Sequence, residues 1–214
     1  MSSTYGDKIK ISVFGESHGN GIGVVIDGLP AGFEVDFDRV LTQMARRAPG
    51  KDKTATPRKE KDLPKVLSGM LGNKLTGAPL CAVIENTYTA FVKYNASNDI
   101  RGGGHFSGRL TAPIVFAGAV CRQILESKGI KIAAHISSIG NVSDSSFCPT
   151  EIDDALIEKL NNSSFALIDE TAEKPMRDAV EDATNDEGQV AHDAVRGHAQ
   201  VSGQTQDQQV KDHQ

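Results

Sequence analysis

No apolar run in the chain approaches the ~20 residues needed to span a bilayer, which excludes a transmembrane helix. Residues 1–10 lack a basic start followed by an apolar stretch, so a signal peptide is not expected. Cysteine is scarce. Cys81, Cys121 and Cys148 are odd in number, widely spaced and outside any C-x-x-C pattern. Neither a disulfide framework nor a zinc site is indicated, no metal is expected, and a reducing cytoplasm is the expected location. A surplus of positive charge is missing too: 23 Lys and Arg stand against 28 Asp and Glu, a formal net charge of −5. A phosphate polyanion needs a basic protein face, so wholesale nucleic-acid binding is not expected, nor is a membrane partner. What remains is a chain of 214 residues, 38% hydrophobic, long enough for one large domain or two small ones around a real core.

Glycine, by contrast, is plentiful and clustered, 21 residues against a usual share nearer ~7%. Clustered glycine brings backbone close to something. Between the clusters, residues 9–14 alternate and are β-rich, and residues 22–27 form a near-continuous apolar run, the pattern of a strand buried on two faces. Asp36 precedes an apolar stripe of Phe37, Val40, Leu41 and Met44, an N-cap and helix that Pro49-Gly50 would end. Residues 65–70 and 80–85 read as strands around a turn at Gly72-Asn73. The strongest helix signal covers 107–128, closed by Gly129, with Pro113 near its first turn where a missing N–H costs nothing. A strand over 130–136 follows, then a helix over 149–161 capped by Thr150, and an acidic helix over 174–187.

Charge is unevenly spread. Eight bases and three acids lie between Arg46 and Lys65, in a loop-like run with Pro49, Pro57 and Pro64, whereas 151–187 holds twelve acids and three bases. The basic run is either a solvated loop or a clamp for a small anion such as a phosphate ester. Residues 188–214 differ in kind: four valines are their only large aliphatics, seven residues are Gln, and His192, His198 and His213 match no ligand spacing. So little apolar surface cannot offset the entropy of ordering, and disorder is expected for this tail.

Two glycine clusters carry candidate chemistry. Gly15-Glu16-Ser17-His18-Gly19 satisfies G-x-S-x-G, but a strand rather than a helix is expected after it, which removes the nucleophile-elbow geometry. Gly21-x-Gly23 likewise lacks the third glycine and the helix of a dinucleotide fingerprint. A polar triplet held between two strands survives, and His18 within it is either a general acid or a histidine bonded to backbone. The second cluster is Arg101-Gly102-Gly103-Gly104-His105-Phe106-Ser107-Gly108-Arg109. Glycines ahead of a helix leave N–H groups open at its positive end, arginines flank them, and Phe106 offers a flat apolar face. That suits a phosphorylated aromatic cofactor; a glycine-rich hairpin is the other reading.

Taken together, these runs resemble the chorismate synthase family. The resemblance passes through Gly15-Glu16-Ser17-His18-Gly19, the run 22–32, Arg46-Arg47-Ala48-Pro49-Gly50, Leu67-Ser68-Gly69, Thr76-Gly77-Ala78-Pro79-Leu80 and 101–118, and extends to about Glu187. It implies an α/β (α+β) fold, a β–α–β sandwich assembling as a homotetramer. The implied reaction is anti-1,4-elimination of phosphate from 5-enolpyruvylshikimate 3-phosphate to give chorismate for aromatic amino-acid synthesis, using reduced FMN. His18 matches the family's first catalytic histidine, and His105, Phe106 and Ser107 match its flavin-contact triplet. Arg47 matches an arginine assigned to anion binding, of substrate or of NADP(H) in bifunctional members. The companion position is Lys53 where the family usually has arginine, a cation without the bidentate fork.

Two departures are expected to matter. Ile84-Glu85-Asn86-Thr87 runs directly into Tyr88-Thr89-Ala90, without the family's intervening Arg-Pro-Gly-His-Ala-Asp segment and its second catalytic histidine. After Glu187 the family pattern gives way to the Gln- and His-rich tail, the mark of a frameshifted or truncated reading frame. The expected organisation is therefore a partial chorismate synthase-like domain over 1–187 and a disordered tail over 188–214. The expected function is the family's, with three outcomes open: turnover, an inactive remnant that binds flavin or phosphate weakly, or a regulatory subunit that joins full-length subunits.

Overall fold

The computed structural model describes residues 3–17, 19–48, 62–86, 107–148, 153–186 and 195–202. They group into two compact units, Met1–Ile124 and Leu125–Gln214.

In the first unit five antiparallel strands form one sheet in the order β1-β2-β3-β7-β4. They are β1 (Thr4–Tyr5), β2 (Lys10–Gly15), β3 (Gly21–Asp27), β4 (Pro64–Ser68) and β7 (Leu80–Glu85). β3 is central, with Ile22, Val24 and Ile26 fully buried beside Ile84, Ala82 and Leu80 of β7. Its other face is less covered than the apolar run implied. Val25 is only half-buried, and Gly23 is covered by the Phe14 ring of β2. Antiparallel pairing explains this, because such a sheet needs a full apolar layer on one face alone.

That layer comes from helices α1 (Phe37–Arg47) and α2 (Thr111–Glu126), through Val40, Met44, Phe116 and Val120. Asp36 caps α1 as expected, its carboxylate accepting from Arg39 N–H at 3.2 Å. α2 starts through a 3-10 turn, Gly108–Leu110, with Ser107 as its cap and Pro113 in the first helical turn. Gly129, at φ +75°, closes it. The turn at Gly72-Asn73 closes a small ribbon, β5 (Met70–Leu71) and β6 (Lys74–Leu75), rather than joining the long strands directly. The chain enters that ribbon at Gly69, φ +84°, where a Cβ would stand 2.4 Å from Leu80 Cα, so the expected strand 65–70 breaks there.

The second unit is built on β8 (Lys131–Ile139), which ends three residues later than expected, with β9 (Val142–Ser143) on one edge and β10 (Val195–Ser202) on the other. Helices α3 (Asp154–Asn162) and α4 (Glu173–Asp186) follow β9 in sequence. Leu160 and Met176 are the most buried members of their two small cores. Asp153 caps α3, accepting from Ala155 N–H, whereas the expected cap Thr150 lies outside the described residues.

β10 lies within the segment for which disorder is expected. All eight of its residues pair antiparallel with β8. The expectation weighed side-chain burial alone, but a strand added to an existing edge is held largely by main-chain hydrogen bonds. No helix among the described residues is long and apolar enough to cross a membrane.

Candidate functional site

Four buried polar residues of the first unit, Ser17, Asp62, Asn86 and Arg109, gather where its strands and helices end. β2 finishes on Gly15, whose φ of +95° leaves no room for a side chain: a Cβ would meet Gly21 O at 2.4 Å. The chain then makes a tight turn, Gly19 N–H donating to Glu16 O at 3.1 Å, with Ser17 buried beneath it. The strand–turn–strand context is the one that argued against a nucleophile elbow, and it is present.

Asn86, just past β7, holds this turn. Its Nδ2 donates to Glu16 O at 3.1 Å and to Gly19 O at 2.8 Å, and its backbone N–H donates to Asn20 O at 3.2 Å. Its Oδ1 accepts from Arg109 Nε at 3.2 Å. Arg109, 3% exposed in its side chain, also pairs with Asp62 Oδ1. Asp62 sits just ahead of β4 with φ +48°, a left-handed backbone that aspartate tolerates better than most residues. Its second oxygen takes Nη1 of Arg47, the last residue of α1. Arg47 completes the cluster on the start of α2, donating through Nε to Thr111 Oγ1 and through Nη2 to Gly108 O, both at 3.2 Å.

Two arginines thus share one fully buried carboxylate. A buried charge without partners is costly, and the bonds from Arg47 to Thr111 and Gly108 and from Arg109 to Asn86 offset part of that cost. Arg47 is the outer member: its side chain keeps 19% exposure, against 3% for Arg109. Among themselves these three groups carry one net positive charge, a favourable setting for an anion on the open edge of Arg47.

Of the residues singled out from sequence, Arg47 and Ser107 are described and lie at this cluster, one at the end of α1 and the other at the start of α2. Ser107 Oγ accepts from Arg109 N–H at 3.3 Å, which leaves its own proton free to donate elsewhere. His18, Lys53, His105 and Phe106 lie outside the described residues, although Glu16, Ser17 and Gly19 define the turn on either side of His18. The sequence reading missed Asp62 and Asn86, and it gave Arg109 only as an arginine flanking the glycine cluster. The available signal was the last of three acids in a strongly basic loop, an asparagine at a strand end, and an arginine at an apolar helix start.

A second buried pair, also missed, lies in the other unit. His135 of β8 and Asp144, just after β9, meet at 2.7 Å through Nδ1 and Oδ2, and the imidazole stands edge-on to Phe147 at 4.8 Å. Burial alone would push the Asp144 carboxyl up. Hydrogen bonds from the N–H groups of Ile168 and Asp169, from His135 and from Ser145 N–H outweigh it and hold the group below the ordinary aspartate value.

Fold and site together define a mixed α/β protein that gathers a buried arginine–aspartate cluster at one end of an antiparallel sheet. Comparison with known proteins narrows this. Residues 9–201 match the family model described as chorismate synthase. Relatives include the chorismate synthase of Thermococcus kodakarensis, 37% identical over 193 residues, covering 75% of this chain and 54% of the relative. That of Lancefieldella parvula is 42% identical over 168 residues, 69% of this chain and 44% of the relative. That of Sulfurimonas denitrificans is 34% identical over 219 residues, 93% of this chain and 57% of the relative. A crystal structure of chorismate synthase superposes with a TM-score of 0.63 at 23% identity, over 84% of this chain and 54% of that one, a likeness of fold. The chain belongs to the chorismate synthase family, a family of lyases. It spans about half the length of the curated relatives it matches.

Proposed function

We infer that this chain carries part of a site for the elimination of phosphate from 5-enolpyruvylshikimate 3-phosphate, giving chorismate with reduced FMN as cofactor. The observation that carries this reading is the part-exposed Arg47, fixed by Asp62, Thr111 and Gly108 at the start of α2. A leaving phosphate needs a fixed cation, and an arginine whose other edge is already held presents its fork at low entropic cost. Lys53 adds a second positive charge from the basic loop. His18, between Glu16 and Gly19 in the sequence, is the proton donor of this reading.

The described flavin-side residues fit a phosphorylated cofactor. Ser107 and Gly108 form the N-terminal end of α2, and a Cβ at Gly108 would have nothing within 4 Å, so the backbone there is open to approach. His105, Phe106 and Ser107 are the residues that would hold FMN, whose reduced ring supplies electron density to the substrate. Ser107 would donate its hydroxyl proton, and Phe106 would cover an apolar edge. NADP(H) binding at Arg47 and Lys53, assembly as a homotetramer, a cytoplasmic location and an ordered domain over 1–187 belong to the same reading.

One observation favours a second reading. Thr87 passes directly to Tyr88 where the family carries its second histidine, and loss of one general acid costs about 10²–10⁴-fold in rate. The chain then binds flavin and phosphate but turns over nothing alone. An anaerobic assay with reduced FMN separates the two: chorismate formation well above blank supports turnover, and flavin fluorescence quenching without product supports binding alone. Quenching that is weakened by Gly103→Val and unchanged by His213→Ala locates the flavin at the glycine cluster. Equal quenching in both variants, or none in the parent, removes the flavin assignment.

A further inference from the structure

The cluster contains a continuous path that neither anion binding nor flavin binding requires. It runs from Gly108 O and Thr111 Oγ1 through Arg47, Asp62, Arg109 and Asn86 to Glu16 O and Gly19 O, each link a direct hydrogen bond. Its outer end, Arg47, meets solvent; its inner end is the turn that carries His18. We propose that Asn86 is the positioning residue of this path: it sets the turn around His18 and makes that turn respond to an anion on Arg47. This rests on the anion-binding reading of Arg47 given above.

The geometry of Asn86 leaves little else for it to do. The residue is 5% exposed. Both protons of its amide are used on two carbonyl oxygens that bracket residues 17 and 18, and its oxygen is used on a guanidinium. The orientation is fixed by chemistry, because the flipped amide would face its oxygen to two carbonyls and its NH2 to Arg109. Apolar packing gives little hold on a turn of Glu16, Ser17 and glycine, so those two hydrogen bonds, with that of Gly19 N–H to Glu16 O, set its shape. Arg109 has no freedom to move independently, being held between Asn86 and Asp62. An anion that draws Arg47 outward loads Asp62, then Arg109, and the displacement is passed to the Asn86 amide. Buried hydrogen-bonded chains polarise and move together in this way.

The test uses the isotope-labelled full chain and inorganic phosphate. In the parent, the Arg47 Nε resonance and the Gly19 amide follow one phosphate isotherm. In Asn86→Ala, the Arg47 resonance still titrates, with affinity within about twofold, and the Gly19 amide no longer responds. Without phosphate, Gly19 amide exchange in that variant accelerates about tenfold while the β3 amides keep their parent rates. Asn86→Asp covers the case in which the alanine variant does not fold. Its carboxylate keeps an acceptor for Arg109 but cannot donate to the turn, so it reproduces the loss at Gly19 with the Arg109 pair intact. Asn86→Gln at least partly restores the shared isotherm. A Gly19 amide that titrates in both variants as in the parent, or exchange that rises uniformly across β3, overturns the proposal. A silent Arg47 resonance in the parent overturns the anion reading instead, and selective Gly19 exchange then still decides whether Asn86 sets the turn.

Discussion

Arg109 shows what a single buried charge costs and provides. Its guanidinium touches Asp62 and Asn86 and is almost wholly removed from water. Arg109→Met leaves the Asp62 carboxylate with Arg47 as its remaining arginine and Asn86 Oδ1 without that donor. The expected loss is about 3–5 kcal/mol of stability, since breaking a buried pair strands the other charge; urea unfolding followed by circular dichroism measures it. Asp144 gives the corresponding prediction against pH. Its folded carboxyl lies below the ordinary value, so it stabilises the fold above the unfolded value and loses that contribution as pH falls through the folded one. Asp144→Asn keeps one acceptor oxygen and turns the other into an NH2, so two of the four partners lose their acceptor, costing roughly 1–3 kcal/mol at neutral pH. Thermal melts from pH ~7 to pH ~3 should show parent and variant converging only at the acid end. A constant gap across that range would mean that the charge of Asp144 contributes nothing.

A single amide of α2 clamps the N-terminal cap of α1. Gln123 accepts from Asp36 N–H at 2.8 Å and donates to Asp36 O at 3.0 Å, so a residue of α2 clamps the cap of α1. Gln123 also donates to Ala119 O and is itself buried. Gln123→Leu preserves volume and removes both links, leaving the Asp36 N–H and C=O to find water. A loss of about 1–3 kcal/mol is expected, larger than for Asp36→Ala, which removes one capping bond worth about 1 kcal/mol. The reverse order in paired denaturation curves would show that the side-chain cap, not the clamp, fixes α1. At the central strand, Gly23→Val places a Cβ at 2.4 Å from the Phe14 ring and 2.7 Å from Ala82 O. Phe14 has room to swing outward but the β7 backbone does not, so about 1–3 kcal/mol is lost to overpacking, read as a lower melting temperature.

For the molecule as a whole, the tail is the element whose role changes most. β8 has β9 on one edge for only two residue pairs, Ser138 with Ser143 and Ile139 with Val142. The other edge is occupied along its whole length by β10. Deleting 187–214 therefore exposes that edge from Lys131 to Ile139. Hydrogen exchange should show faster exchange for those β8 amides that bond to β10, with the five-stranded sheet of the first unit unchanged. Unchanged β8 amides would support the disordered tail.

How much of this the sequence determined follows from the range of the forces involved. β3, α1 with its Asp36 cap, and α2 with Ser107, Pro113 and Gly129 were legible because periodicity, capping and proline geometry act within a few residues. The family was legible because the glycine clusters are specific strings in a specific order. The buried cluster was not. Its bonds join residues separated by 15, 23, 47, 67 and 70 positions, and no local pattern marks a basic loop's last acid as the counter-ion of two arginines. Only the tertiary structure decides that, because a charge enters the interior when partners from several elements arrive together. The same holds for β10. Its composition argued for disorder, and an open edge of β8, which no property of the tail itself records, supplies its hydrogen bonds.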